Sequence, residues 1–347
     1  MEHEPLSSMR YLRVSLGTAM ALGLTKGRMD VPPTTAYFLV PGGCQGTCMF
    51  CPQARTSLGH RDLLSRVSWP LFPAEDVLAA LRENQSSPVE QSSSIEGREG
   101  PGAGPSSATL RFQRACIQVV QNPKAMEIVS FLLTELGTLL PVSVSYHPKS
   151  REELARIFDL GAQRVGIALD CATEGLYRKI RGGSYRETID LLEWAAQAFP
   201  GRISTHLIIG LGETEEEALH TIQTMYDLGI TVGLFAFTPV PGTPLEGKEP
   251  PDPLAYRRVQ VARWLISHGL KRFDDFTFDD GRVIAFGMSS LELANLLSSG
   301  EAFQTSGCAG CNRPYYNEKP GGFIYNYPRK LTATEAESIR EALLDAI

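Results

Sequence analysis

The chain has 347 residues and a formal net charge of −6, with 43% hydrophobic and 21% charged residues. That length buries a sizeable core without disulfides or metal to hold it together, and the composition is that of an ordinary soluble enzyme. Mild acidity without a basic block argues against nucleic acid as the main partner, and no run approaches the ~18 apolar residues of a membrane span.

Residues 9–24, "MRYLRVSLGTAMALGL", place two arginines before a moderately apolar run. A signal peptide has that order, but Ser15, Gly17 and Thr18 break the run. A helix ahead of the main fold is the stronger reading, and a cytoplasmic location is expected. "TTAYFLVPGG" reads as a short buried strand ending in a glycine loop. Three cysteines follow at once, in "PGGCQGTCMFCPQAR". "FPAEDVLAALREN" has helical spacing with Pro73 near its start. Residues 84–108 are Ser, Gly, Pro and Glu with almost no large apolar side chain. Such a stretch buries too little surface to offset its ordering entropy and is expected to be a flexible surface insertion, with a functional lid as the alternative.

Beyond the insertion, strands and helices alternate. "LRFQRACIQVV", "PVSVSYHP", "QRVGIALD", "RISTHLIIG" and "TVGLFAFTPV" read as strands, and a helical pattern follows each. Ser150 with Glu153, and Ser184 with Glu187, stand at capping-box spacing. With the strand before the cysteines this makes six βα units. The expected fold class is therefore α/β, a partial (β/α)6 barrel, two units short of a full eight-stranded barrel. The expected organisation is an N-terminal helical segment at 1–35, the barrel at 36–272 and a C-terminal extension at 273–347.

Seven cysteines, five of them in two tight clusters, do not look like a disulfide framework. Cys44, Cys48 and Cys51 form C-x3-C-x2-C. Structural zinc takes four ligands, usually from two close pairs, and the other pair, Cys308 and Cys311, lies far along the chain. An iron–sulfur cluster with three thiolates and one open iron fits better.

This motif, with Phe50 just before its last cysteine and a six-unit partial barrel after it, resembles the radical S-adenosylmethionine (SAM) superfamily. The resemblance implies a 4Fe-4S cluster whose free iron binds the amino and carboxylate groups of SAM. It also implies a 5′-deoxyadenosyl radical that takes hydrogen from an unactivated carbon. Phe50 would pack near the adenine. Asp170 would bind ribose hydroxyls, or else cap a helix or turn. Gly210 and Gly212, in "IIGLGE", would bring backbone to the adenine, or simply make a turn. Arg181 would reach the SAM carboxylate, or else be a surface arginine. No counterpart of the family's glycine–glycine–glutamate stretch is evident.

Residues 110–215 resemble biotin synthase, in which a cysteine in the second strand ligates an auxiliary cluster inside the barrel. Cys116 matches that position, its alternative being a small buried hydrophobe. The remaining auxiliary thiols of that enzyme would fall where this chain has Ser143, Ser145 and Ser204. Cys308 and Cys311 would then complete a second, auxiliary iron–sulfur cluster with Cys116, and Cys171 is a further candidate ligand. The tail "SGCAGCNRPYYNEKPGG" resembles the radical enzymes of two-component lipoyl synthases. That likeness implies sulfur insertion into an octanoyl chain, with Arg313, Tyr315, Tyr316 and Asn317 beside the site. The implied partners are an octanoylated lipoyl-carrier domain, a second radical SAM component and an electron donor such as ferredoxin or flavodoxin. Competing readings are sulfur insertion into another substrate, an auxiliary cluster that donates no sulfur, and a non-catalytic iron–sulfur or zinc scaffold.

Overall fold

The computed structural model describes residues 10–40, 42–86, 111–318 and 321–347. Strand β1 (Tyr11–Val14) comes first, then helix α1 (Leu16–Ala21). The helix expected over residues 9–24 is thus shorter. Leu12 and Val14 alternate into the core while Tyr11 faces out, which is a strand pattern. Ser15 then accepts from Thr18 N and starts the helix.

Strand β2 (Thr35–Leu39) is buried throughout. After the cysteine loop come a small hairpin of β3 (Leu63–Leu64) and β4 (Val67–Ser68), strand β5 (Leu71–Pro73) and helix α2 (Ala74–Ser86). Helix α2 takes in residues 84–86, which the sequence had assigned to the insertion. Asn84 Oδ1 accepts from Phe112 N and Gln85 Nε2 donates to Phe112 O. These bonds tie the two ends of the insertion together. The rest of it, through residue 108, lies outside the described residues.

The repeat follows as β6 (Arg114–Gln118), α3 (Ala125–Gly137), β7 (Val142–Ser145), α4 (Arg151–Asp159) and β8 (Arg164–Gly166). A short helix α5 (Glu174–Leu176) runs into a π-helical turn at Tyr177–Arg181 and is followed by α6 (Tyr185–Ala198). Strand β9 (Ile203–Ile209), α7 (Glu215–Asp227), β10 (Thr231–Ala236) and α8 (Pro253–Ser267) complete it. Ser150 and Ser184 cap α4 and α6 as expected. Glu153 departs from the box, because its carboxylate takes Lys149 N. Full boxes form at Thr214 and Glu217, at Ser289 and Glu292, and at Thr332 and Glu335.

The strand order is β10-β9-β8-β7-β6-β2-β1-β5. From β2 through β10 the neighbours are parallel and follow chain order, which gives the six expected βα units. The sheet does not close: β1 and β5 extend it antiparallel beyond β2. Helices α3, α6 and α7 pack on its outer face. Leu132, Leu136, Leu192 and Leu219 are fully buried there, each worth about 1.5–3 kcal/mol. No described helix is long and apolar enough to cross a membrane.

The C-terminal extension contains a hairpin of β11 (Thr277–Asp279) and β12 (Arg282–Ala285), then α9 (Ser290–Leu296) and α10 (Ala333–Leu344). Glu215 on α7 accepts a two-point contact from Arg258 on α8 and also takes Val283 N of β12. Deeper, Arg257 is 2% exposed. Its guanidinium donates to the carbonyls of Ile324 and Tyr325 and lies against Phe303, Phe323 and Tyr327. Burial pushes its pKa down to about 10, so it stays charged at neutral pH.

Arg257→Met would leave the Ile324 carbonyl without its donor and the Tyr325 carbonyl with Gln260 Nε2 alone, at a cost on the order of 2 kcal/mol. Urea unfolding of the variant should show that loss together with earlier proteolysis of the extension. A loss below about 0.5 kcal/mol would mean that other contacts hold it.

Candidate functional site

The cysteine loop leaves the end of β2 and is pinned on two sides. Met49 N donates to Ile180 O of the π-helical turn, and Leu245 N donates to Met49 O. Cys44, Cys48, Cys51 and Phe50 line one cavity of about 220 Å³, joined by Ser145, His147, Asp170, Arg181, His206, Phe235, Thr238 and Tyr316. Apart from Tyr316, which the C-terminal extension supplies, these come from the parallel strands toward their C-terminal ends and the segments after them, where an α/β sheet presents its ligands.

Asp170 is 5% exposed, at φ +64°. Its Oδ2 lies 2.6 Å from Arg181 Nε and its Oδ1 2.8 Å from His206 Nε2. Both of its backbone groups bond to β9, with Asp170 N donating to His206 O and Asp170 O accepting from Ile208 N. A non-glycine residue held in the left-handed region is strained, and such strain persists only where the surroundings fix it. Burial favours the neutral acid, but His206 and Arg181 together hold the carboxyl below its usual range. Asp170 is not a cap, since Thr173 accepts from Leu176 N in that role.

Arg181 is not a surface residue. It ends the π-helical turn, a form frequent at functional sites, and its Nη1 is 3.5 Å from Cys48 Sγ. Burial opposes its charge, and Asp170 with Cys48 overcomes that. Burial raises the thiol pKa of Cys48 to about 11 and of Cys51 to about 12, against the pull of Arg181 on Cys48. These thiols need a strong Lewis acid to become thiolates.

Gly210 and Gly212 are not on the cavity wall, which runs through Ile208. They adopt φ +102° and +135°. With Leu211, their N–H groups wrap the carboxylate of Glu213 at 2.6–3.1 Å. A Cβ on Gly210 would meet Pro251 at 2.9 Å. The glycines build a turn around the chain's own carboxylate.

The second group assembles from distant segments. Cys116 on β6 has its proton affinity raised by burial and then by Cys308 and Cys311. Cys311 N donates to Cys308 O in a tight turn, and Cys311 Sγ is 3.1 Å from Tyr37 Oη on β2. Gln118 Nε2 donates to Cys116 Sγ at 3.1 Å. Ser143 is in register with Cys116 and bonds Arg114, whose other contacts are Ala309 O and Gln163. Tyr316 lies between the groups, its phenol pKa raised by burial, then by Cys51 and also by Cys116. It meets Phe235 at a ring distance of 5.3 Å, and Arg313 lies over the same Phe235 ring. Asn317 reaches the cavity wall beside it. Arg313 and Tyr315 both have positive φ, and Tyr315 turns away from this cavity to line another. Cys171 belongs elsewhere: it is fully buried in the main core next to Asp170, as a small hydrophobe is.

Among the described residues, no three His, Cys, Asp or Glu side chains converge on a single metal ion. A cubane cluster does not ask this of them, because each thiolate takes a different iron. Three thiols on one loop, a buried guanidinium beside them and an unpartnered His147 Nδ1 in the cavity fit a cluster with one free corner and a charged organic ligand. The sequence reading missed His147 and His206. Both follow from strand alternation: Ser143, Ser145 and His147, like Ser204, His206 and Ile208, share one face of their strands.

Burial and then Arg181 push the His147 imidazole down to about 4, with Asp170 opposing. The unfolded chain binds that proton near pH 6.5, so stability rises with pH between about 4 and about 6.5. Histidine NMR should find one neutral ring throughout that window, assigned by His147→Gln. A midpoint near ~6.5 for His147 would contradict the geometry.

Comparison with known proteins follows the same lines. A biotin synthase from Acidithiobacillus ferrooxidans is 28% identical over 282 residues, covering 78% of this chain and 80% of that protein. A biotin synthase from Alkalilimnicola ehrlichii is 25% identical over 246 residues, covering 68% of this chain and 65% of that one. Among solved structures, methylornithine synthase matches with a TM-score of 0.47 and 17% identity, covering 68% of this chain and 62% of that one. The family model described as the Radical SAM superfamily matches residues 38–225, a family whose members use a 4Fe-4S cluster and SAM. With that match over more than half its length, around the three-cysteine loop and the parallel strands behind it, the chain belongs to the radical SAM superfamily.

Proposed function

We propose that this chain inserts sulfur into an unactivated C–H bond of a protein-bound octanoyl chain, as one component of a two-component lipoyl synthase. In this reading Cys44, Cys48 and Cys51 hold the SAM-binding cluster. Arg181 and Asp170 meet the charged and ribose parts of SAM, and Phe50 packs on its adenine. Cys116, Cys308 and Cys311 hold an auxiliary cluster as sulfur source. The observation that carries the reading is that Cys116 and Cys311 pack with Tyr316 against the same apolar cluster as Cys44, with Cys308 one tight turn from Cys311.

When bound, the first cluster and SAM supply a radical that takes a hydrogen atom from a carbon no base can deprotonate. The chain's own residues do the rest. Asp170 is locked by Arg181, His206 and two backbone bonds, so its carboxylate is oriented before any ligand arrives. The aromatic wall of Phe50, Phe235 and Tyr316 keeps water from the reacting carbon. Gly210 and Gly212 shape the strand end rather than contact the cofactor. The curated relatives are named biotin synthases, which supports sulfur insertion as the reaction class. Ser143, Ser145 and Ser204, where that enzyme's further thiols would fall, favour a different substrate. A second component inserts the other sulfur, and a ferredoxin or flavodoxin supplies electrons.

Anaerobic reconstitution should load about eight irons per chain. A single turnover with an octanoyl-lysine peptide should then give a mono-thiolated product and no product from dethiobiotin. Cys308→Ala should hold about four irons, still cleave SAM and form no thiolated product. Normal thiolation by that variant, or wild-type protein with a single cluster, would sink the sulfur-donor reading. Asp170→Asn keeps a residue that tolerates positive φ and removes the charge. It should weaken SAM binding by roughly tenfold in equilibrium dialysis, and unchanged affinity would remove Asp170 from the site.

A further inference from the structure

A second, larger cavity lies behind the auxiliary thiols. Its volume is about 780 Å³, against about 220 Å³ for the cavity at the three-cysteine loop. Small-molecule sites span roughly 300–1,000 Å³. The larger cavity falls within that range and has room for a long chain. Helix α1, the loop before β2, the β3–β4 hairpin and the C-terminal segment wall it. Met20, Met29, Val67 and Trp69 make it apolar. Trp69 is 1% exposed, with a buried indole N–H that has no partner, a donor that a bound carbonyl would satisfy.

Two features connect this cavity to the chemistry. Tyr316 lines both cavities, so one side chain is the partition between them. Tyr37 lines the larger one while its hydroxyl touches Cys311 Sγ at 3.1 Å. The apolar cavity thus ends at the auxiliary thiols on one wall and at the radical site on another. Its charged lining is unbalanced: Arg28, Arg66 and Arg313 against Asp30 and Glu318, with Arg329 already paired to Glu335. Arg28 is exposed.

Resting on the proposed function, we infer that this cavity binds the substrate's acyl chain, an unbranched aliphatic chain amide-linked to a protein whose surface is acidic around the attachment point. The chain lies along Met20, Met29 and Val67, and its amide carbonyl takes the Trp69 N–H. Tyr316 swings aside to let the reacting carbon pass between the two cysteine groups. Arg28 and Arg66 meet the carrier.

The test is photo-crosslinking to the reconstituted full-length protein, using an octanoyl-lysine peptide with a diazirine in the half of the chain next to the amide, mapped by mass spectrometry. Adducts on Met20, Met29 or Tyr316 are expected. Adducts confined to the walls around Phe235 and Thr238 would overturn the assignment. Met29→Trp fills the cavity and should weaken peptide binding by at least about tenfold, with iron content as the control for folding. Unchanged affinity would overturn the proposal. Arg66→Glu, on the rim, should weaken binding of an octanoylated carrier domain more than that of the short peptide. Equal effects would remove the acidic carrier from it. Free octanoate that competes as well as the peptide would also overturn it, by making the amide irrelevant. A peptide that labels this cavity but gains no sulfur would support the cavity's assignment while contradicting the sulfur-insertion reading.

Discussion

Six parallel strands do not close a barrel, and β10 is left as an edge of the sheet, whereas β1 already pairs with the far side of β2. The C-terminal segment covers the β10 edge. Ser306 Oγ accepts from Leu234 N on β10, and the Ser306–Gly307 backbone comes within 3.5–3.6 Å of where a Cβ on Gly233 would be. At the other side, Thr34 N donates to Asn312 Oδ1 and Asn312 Nδ2 to Pro32 O. An uncovered strand edge exposes unpaired polar backbone, so the strap is needed by the fold whatever its chemistry. The same strap carries Cys308, Cys311, Arg313 and Tyr316 into the lumen.

Stability and site geometry are therefore coupled. Arg257 holds the carbonyls of Ile324 and Tyr325, and Glu318 Oε1 and Oε2 take Asn326 N and Asn317 N. These buried bonds fix the segment that follows the auxiliary thiols. On the opposite wall, Asp170 plays a similar part for the first cavity. It joins β9, through His206, to the π-helical turn, through Arg181, and so to Cys48. A buried carboxylate with two partners is costly to disturb. Each cysteine group is thus held by a hydrogen-bonded frame built from residues far away in sequence.

Much of this was legible in the residues. Period-two and period-3.6 patterning gave the six βα units, and the C-x3-C-x2-C loop falls after the first of them, as a functional loop should. Ser150 and Ser184 start their helices by local chemistry that needs no tertiary information. The rest was set by tertiary pairing. Tyr11–Val14 is a strand because β2 offers an edge to it, and four residues carry too little pattern to say so. Asp170 could be read as a ribose ligand or as a cap, because its two partners, Arg181 and His206, lie 11 and 36 positions away. Gly210 and Gly212 suggested a ligand contact, yet their N–H groups serve Glu213. The larger cavity, formed by segments from both ends of the chain, had no signal in the sequence.

The account turns on two thiol groups sharing one lumen, each with its own cluster. Electron paramagnetic resonance of the reduced, reconstituted protein tests this most directly. Two iron–sulfur signals are predicted: one shifted by SAM and lost in Cys48→Ala, the other insensitive to SAM and lost in Cys116→Ala. A single SAM-sensitive signal that survives Cys116→Ala unchanged would contradict it.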